Sequence, residues 1–235
     1  KMKNPQHKNT MFRIAFGSKA RVGKDTATDY IIGKLGGVTL RIADPVYDIA
    51  KYAQARLGLS TAKNPAVLQA IGTALRNALG EDIWINAALA QTQPDGVFVV
   101  PDRRFENEFT KLATANFITC RIERADRIID RDPNHPSEIG CDQLVAKHDY
   151  VIHNDYTPDW LYSCLDGILA ERCPLVGPFR SVAELVVTGG RPAYTTVIGA
   201  YASNELDAHF ELDCKIEELK KIIDFTVVSI KHFKV

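Results

Sequence analysis

Ten residues, Gly17-Ser18-Lys19-Ala20-Arg21-Val22-Gly23-Lys24-Asp25-Thr26, have the composition of a phosphate cradle. They follow an apolar run and precede a stretch with helical spacing, the context in which such a loop works. Small residues let backbone N–H groups surround phosphate oxygens. The N-terminus of the following helix adds the positive end of its dipole. Lys24 is placed to reach the β- and γ-phosphates of a nucleoside triphosphate and to offset charge that shifts during transfer. The run departs from G-x-x-x-x-G-K-[ST] at two positions. Ser18 stands at the first glycine and Asp25 at the hydroxyl residue, with Thr26 after it. Either Asp25 or Thr26 is expected to hold Mg²⁺, directly or through water. The expected ligands are ATP and Mg²⁺; the bland alternative is a glycine-containing turn with an exposed lysine.

A second group surrounds Asp102, which follows the apolar run Val97–Val100. The carboxyl edge of a parallel sheet is where α/β proteins bind ligands. Asp102 there holds a metal-bound water or an acceptor's sugar, or is only a turn aspartate. The planar fork of Arg104 suits bidentate contact with a phosphate. Arg103 would point to the opposite side if the strand continued, and is the weaker candidate. Arg76, on a predicted helix, binds an acceptor phosphate or is solvated. Trp84, in the apolar run Ile83-Trp84-Ile85, stacks on a base or belongs to the core. Gln69 bonds a base edge or faces solvent, and Asp44 contacts an acceptor or caps the helix opened by Pro45.

Arg121, Arg124, Arg127 and Arg131 recur at near-helical spacing, and the last three fall close to one face. They predict a helical lid, around residues 121–140, that closes over ATP and clamps the moving phosphoryl group. The competing reading pairs them with Glu123, Asp126 and Asp130 on a solvated face. Ser137 and Glu138 position an acceptor or complete the loop after Pro133. His135 is not needed as a base, because phosphoryl transfer to a phosphate rests on positioning and charge.

These groups need a frame. The pattern predicts strands at Met11–Phe16, Val38–Ile42, Val97–Val100, Phe117–Ile122 and Asp149–His153. Helices are expected from Lys24, Pro45, Pro65, Glu81, Glu106, Arg124 and Pro158. Alternating strands and helices predict an α/β fold, a P-loop-type parallel sheet flanked by helices. Residues 11–177 form this core, and residues 1–10 are set aside as a flexible leader. After the linker at Pro174–Pro178, strands at Val182–Thr188 and Thr195–Tyr201, a helix at Asp213–Ile223 and a strand at Phe225–Phe233 predict a small ββαβ-like addition, residues 178–235. A unit that small is expected to pack on the core or on a partner chain.

Several short motifs, in order, resemble the deoxynucleoside monophosphate kinases of bacteriophages: Gly23-Lys24-Asp25-Thr26, Ala43-Asp44-Pro45, Leu68-Gln69-Ala70-Ile71-Gly72-Thr73 with Arg76 and Asp82-Ile83-Trp84, Asp102-Arg103-Arg104-Phe105-Glu106-Asn107-Glu108, and His135-Pro136-Ser137-Glu138. The resemblance spans roughly residues 12–161 and implies ATP on the phosphate loop with a monophosphate acceptor in a facing cleft. Three positions depart from it: Ser18 replaces a glycine, Arg103 stands where valine is usual, and Glu106 replaces a proline. Other small-molecule P-loop kinases, of the phosphomevalonate or dephospho-coenzyme A type, and a non-catalytic nucleotide-binding module are the rival readings.

The 235 residues carry 29 basic and 29 acidic side chains, so no bulk attraction to nucleic acid or anionic membrane is expected. Five scattered cysteines without a C-x-x-C pair argue against a disulfide framework and for a reducing, cytoplasmic setting, that of the host if the chain is viral. The expected partners are small nucleotides, and a homodimer is expected only from the exposed strand edge of the C-terminal unit.

Overall fold

The structure is a computed structural model that describes residues 11–126, 139–141, 144, 147–188 and 193–234. Its first half is built from β1 (Met11–Gly17), α1 (Lys24–Leu35), β2 (Val38–Thr39), α2 (Asp44–Arg56), α3 (Pro65–Leu79), α4 (Ile83–Leu89), β3 (Gly96–Arg103), α5 (Glu106–Thr114), β4 (Ile118–Glu123) and β5 (Tyr150–His153). Then come α6 (Pro158–Arg172), β6 (Phe179–Val187), β7 (Tyr194–Ala202), α7 (Glu205–Lys220) and β8 (Phe225–Lys234). Five strands form a sheet in the order β2-β3-β1-β4-β5, with every pairing parallel. This is the α/β, P-loop-type sheet that the alternating pattern predicts. β1 lies at its centre, so the loop leaving β1 opens at the carboxyl edge where neighbouring strands diverge.

The central strands are apolar on both faces, as a sheet covered twice requires. Ile14, Phe16, Val99 and Ile122 join α1 and α6 on one side. Ala15, Val100, Phe98 and Leu112 join Leu40, Trp84 and Ile85 on the other.

Within the parallel sheet, two strand boundaries differ by more than one residue from the expected ones. β3 does not stop at Pro101 but runs through Asp102 to Arg103. Proline cannot donate to a ladder, yet here it costs nothing. β2 has already ended opposite Val99, and the β1 register shifts between Ala15 and Gly17. β2 is two residues long rather than five, because the backbone N–H groups of Ile42 and Ala43 donate to the carboxylate of Asp102, each at 2.9 Å.

The C-terminal elements form an antiparallel sheet, β7-β6-β8. α6 is buried along most of its length between the two sheets, and the inner side chains of β6, β7 and α7 belong to the same apolar cluster as β1 and β4. Gly167 of α6 and Gly199 of β7 allow the closest approach: a Cβ on either would come within 2.8 Å of the other element's backbone. α7 begins at Glu205, capped by Asn204, eight residues before the expected start at Asp213. Among the described residues no helix is long and apolar enough to cross a membrane. All five cysteines are free thiols.

Candidate active site

The loop from Gly17 to Gly23 turns the chain from β1 into α1. Arg21 (φ 63°) and Gly23 (φ 101°) take left-handed conformations that wrap its backbone. Gly23 is also needed for space, since a Cβ there would lie 2.5 Å from Asn154 Nδ2. That amide, just past β5, donates to Val22 O at 2.9 Å and braces the loop. Lys24 is 8% exposed. Its ammonium donates back to Ser18 O at 3.1 Å and to Lys19 O, spanning the loop. No side chain caps α1, so its first N–H groups stay directed toward the cleft.

Above the loop lies a cleft of about 1270 Å³. Ala20, Arg21, Gly23, Lys24, Asp25 and Thr26 line one end. Asp44, Gln69, Arg76, Trp84, Asp102 and Arg104 line the rest, and Arg124 sits at its border. Residues predicted from separate parts of the chain therefore share one cavity. Gly17, Ser18, Lys19 and Val22 do not line it. Gly17 and Ser18 are buried, Val22 packs into the main apolar core, and Lys19 contributes its carbonyl to Lys24.

The side of the cleft away from the loop is a set of interlocked polar groups. Asp102 sits half-buried at the end of β3, and its two backbone hydrogen bonds fix the entry to α2. Burial pushes its carboxyl up to about 6, against the opposing pull of those two N–H groups. Asp44 is the first residue of α2 and makes no capping bond, so the capping alternative does not hold. Partial burial raises its carboxyl, with Arg41 opposing. Trp84 is a wall rather than a free stacking platform. It is 6% exposed, packs with Leu40 and Val46, and donates its indole N–H to Gly72 O at 3.1 Å. Gln69 stands half-buried on the same side of the cleft.

Arg76 is not solvated. Its guanidinium lies over the Phe105 ring at 4.2 Å, donates to Glu81 O, and pairs with Glu108 Oε1 at 3.0 Å. The other oxygen of Glu108 accepts from the backbone N–H groups of Arg104 and Phe105, at 2.8 and 3.1 Å. One buried carboxylate thus caps α5, sets the turn that carries Arg104, and holds Arg76. Glu108 closes the Asp102–Glu108 motif, and nothing local in the sequence marks it for this role.

Arg41 was also missed. It lines the cleft and pairs with the exposed Asp25 carboxylate at 2.9 Å. Burial pulls its guanidinium down, but Asp25, Asp102 and Asp44 outweigh that and hold it above its ordinary value. The clue was an arginine two residues before Ala43-Asp44-Pro45. Asp25, Thr26 and Asp102 supply hard oxygen donors, which fit a Mg²⁺ ion that takes one or two carboxylates and completes its shell with phosphate and water. Among the described residues no group of three or more His, Cys, Asp or Glu is placed around a metal position.

Of the lid expected around residues 121–140, only residues 121–126, 139 and 140 are described. Arg121 is a buried β4 residue, bonded to Glu123 at 2.6 Å and to Cys141 O. Residues 124–126 leave β4 in a turn rather than a helix. Arg124 is exposed there and faces the cleft. Arg127, Arg131, Ser137 and Glu138 lie outside the described residues, as do residues 1–10.

No protein-family model matches this chain. No curated protein matches it either. Among solved structures it is similar to the crystal structure of shikimate kinase from Aquifex aeolicus VF5, at 15% identity and a TM-score of 0.39, covering 64% of this chain and 91% of that one. The strand order and the loop geometry, not this likeness, carry the fold assignment: a P-loop-type parallel sheet whose β1–α1 loop opens into one cleft together with Arg41, Arg76 and Arg104.

Proposed function

We propose that this chain is a P-loop kinase that transfers the terminal phosphoryl group of ATP to a deoxynucleoside monophosphate. The observation that carries the reading is the single cleft, with Lys24 and the helix N-terminus at one end and Arg41, Arg76 and Arg104 on the acceptor side. The Ala-Asp-Pro, Leu-Gln and Asp-x-Arg-Phe motifs that resemble the phage enzymes line that acceptor side and support the acceptor class.

The residues divide the work. Lys24 exchanges its loop carbonyls for donor phosphate oxygens, and the uncapped α1 N-terminus adds N–H donors. Mg²⁺, when bound, offsets charge on the donor's phosphates. Arg104 and Arg76, pre-set by Glu108, hold the acceptor phosphate. An acceptor phosphate oxygen then attacks the γ-phosphorus in line, the bond to the β-phosphate oxygen breaks, and ADP leaves. The nucleophile is already anionic, so no protein base is required.

ADP release measured with each of the four deoxynucleoside monophosphates and their ribose counterparts tests this. Acceptor-dependent turnover with a deoxynucleoside monophosphate is expected, and Lys24→Ala should lower kcat by about 10²-fold or more. No turnover with any nucleoside monophosphate would contradict the reading and point to another small-molecule acceptor or to a nucleotide-binding module without catalysis.

A further inference from the structure

Arg103 is 1% exposed, among the largest fully buried side chains of the fold. Its strand partner is Gly17, the residue that opens the phosphate loop. The guanidinium lies across Gly17 so closely that a Cβ there would overlap it. Around it stand the Phe109 ring at 5.3 Å, His148, whose Nε2 meets Nη2, and the thiols of Cys120 and Cys141. Nε and Nη1 are buried without a hydrogen-bond partner.

Among the described residues the charge also has no carboxylate paired with it. The carboxylate whose field acts on it, Glu108, is already engaged with Arg76 and two backbone N–H groups. A second cation, Arg121, is close by and is paired with Glu123. Burial pulls the guanidinium down to about 10, so it stays charged at neutral pH. A buried, unpaired cation opposes folding, and an apolar residue of similar volume would be the more stable choice.

We infer that Arg103 is a positioning residue for the phosphate loop, an internal cation held under Gly17 whose missing counter-charge is the polyphosphate of the bound donor. It acts through Gly17 and does not line the cleft. Low dielectric makes its field stronger at the loop than that of a solvated arginine. The inference rests on the reading that Gly17–Thr26 binds phosphate, and it adds that this chain places a charge where the resembling family uses valine.

The test compares wild type, Arg103→Met and Arg103→Lys by calorimetric binding of ATP and of inorganic tripolyphosphate, and by melting without ligand. Arg103→Met should weaken both ligands on the order of tenfold. It should also raise the ligand-free Tm by roughly 2–4 °C. Arg103→Lys should regain part of the affinity. A structural arginine gives the reverse signature, so a lowered Tm or failure to fold in Arg103→Met overturns the inference. Wild-type affinity in Arg103→Met overturns it and leaves the kinase reading standing. No binding of either ligand to wild type overturns both.

Discussion

Asp102 shows how far a single residue can be read from sequence. Its place after an apolar run marked it as a ligand group, and it does line the cleft. Its bonds to Ile42 and Ala43 were not legible, because they join residues 60 and 59 positions apart by a side chain that replaces strand pairing. The same limit hid Arg41 and the triple duty of Glu108, which depend on partners far along the chain. Asp102 gives a pH prediction. Its carboxyl is pushed up to about 6, so it takes a proton as pH falls through that value and can no longer accept both N–H bonds as a carboxylate. We expect kcat/KM to be level above about pH 7 and to fall below about 6, with the inflection absent in Asp102→Asn. The sign for stability is opposite. A carboxyl whose folded pKa exceeds its unfolded one favours the fold when protonated, and that contribution is lost as pH rises toward 6. An inflection that persists in Asp102→Asn would assign it to another group.

At the scale of elements, α1 carries the site at one end and an anchor at the other. Lys24 opens it, and Lys34, in its last turn, pairs with Asp166 of α6 at 2.7 Å. The buried Asp166 also accepts from Lys215 of α7 at 2.7 Å, from Tyr30 at 2.9 Å and from Tyr201 of β7 at 3.2 Å. Burial, with the Asp166 carboxylate, pushes both phenols well above their ordinary range. Asp166→Asn leaves two lysines without their carboxylate. It should cost about 2–4 kcal/mol, read from the urea midpoint, allowing for the partial exposure of the lysines. A loss below about 0.5 kcal/mol would show that this cluster does not fasten the elements. Helix starts marked by proline, at Pro65 and Pro158, were legible because proline fits a first turn. The start of α7 was not, because Leu206 and Phe210 lie exposed and blur the apolar period that begins cleanly at Leu212.

For the whole molecule, the parallel sheet was legible because alternation of strand and helix leaves few other architectures. The union of the C-terminal sheet with that core was less so, because it depends on α6 being apolar nearly all round and on two glycines meeting across it. Ending the chain at Gly177 would uncover the α6 face that packs on β6, β7 and α7. We expect such a chain to lose cooperative thermal unfolding, and a sharp transition near the full-length Tm would contradict that.

Cleft, loop and arginines together make one claim, that a phosphoryl group crosses from ATP to a monophosphate held on Arg76 and Arg104. The most direct measurement follows label from [γ-³²P]ATP·Mg²⁺ in the presence of each deoxynucleoside monophosphate. The account predicts label in the deoxynucleoside diphosphate, in step with ADP formation and abolished in Lys24→Ala. Label found only as inorganic phosphate, or only in ATP, whatever the acceptor, would contradict it.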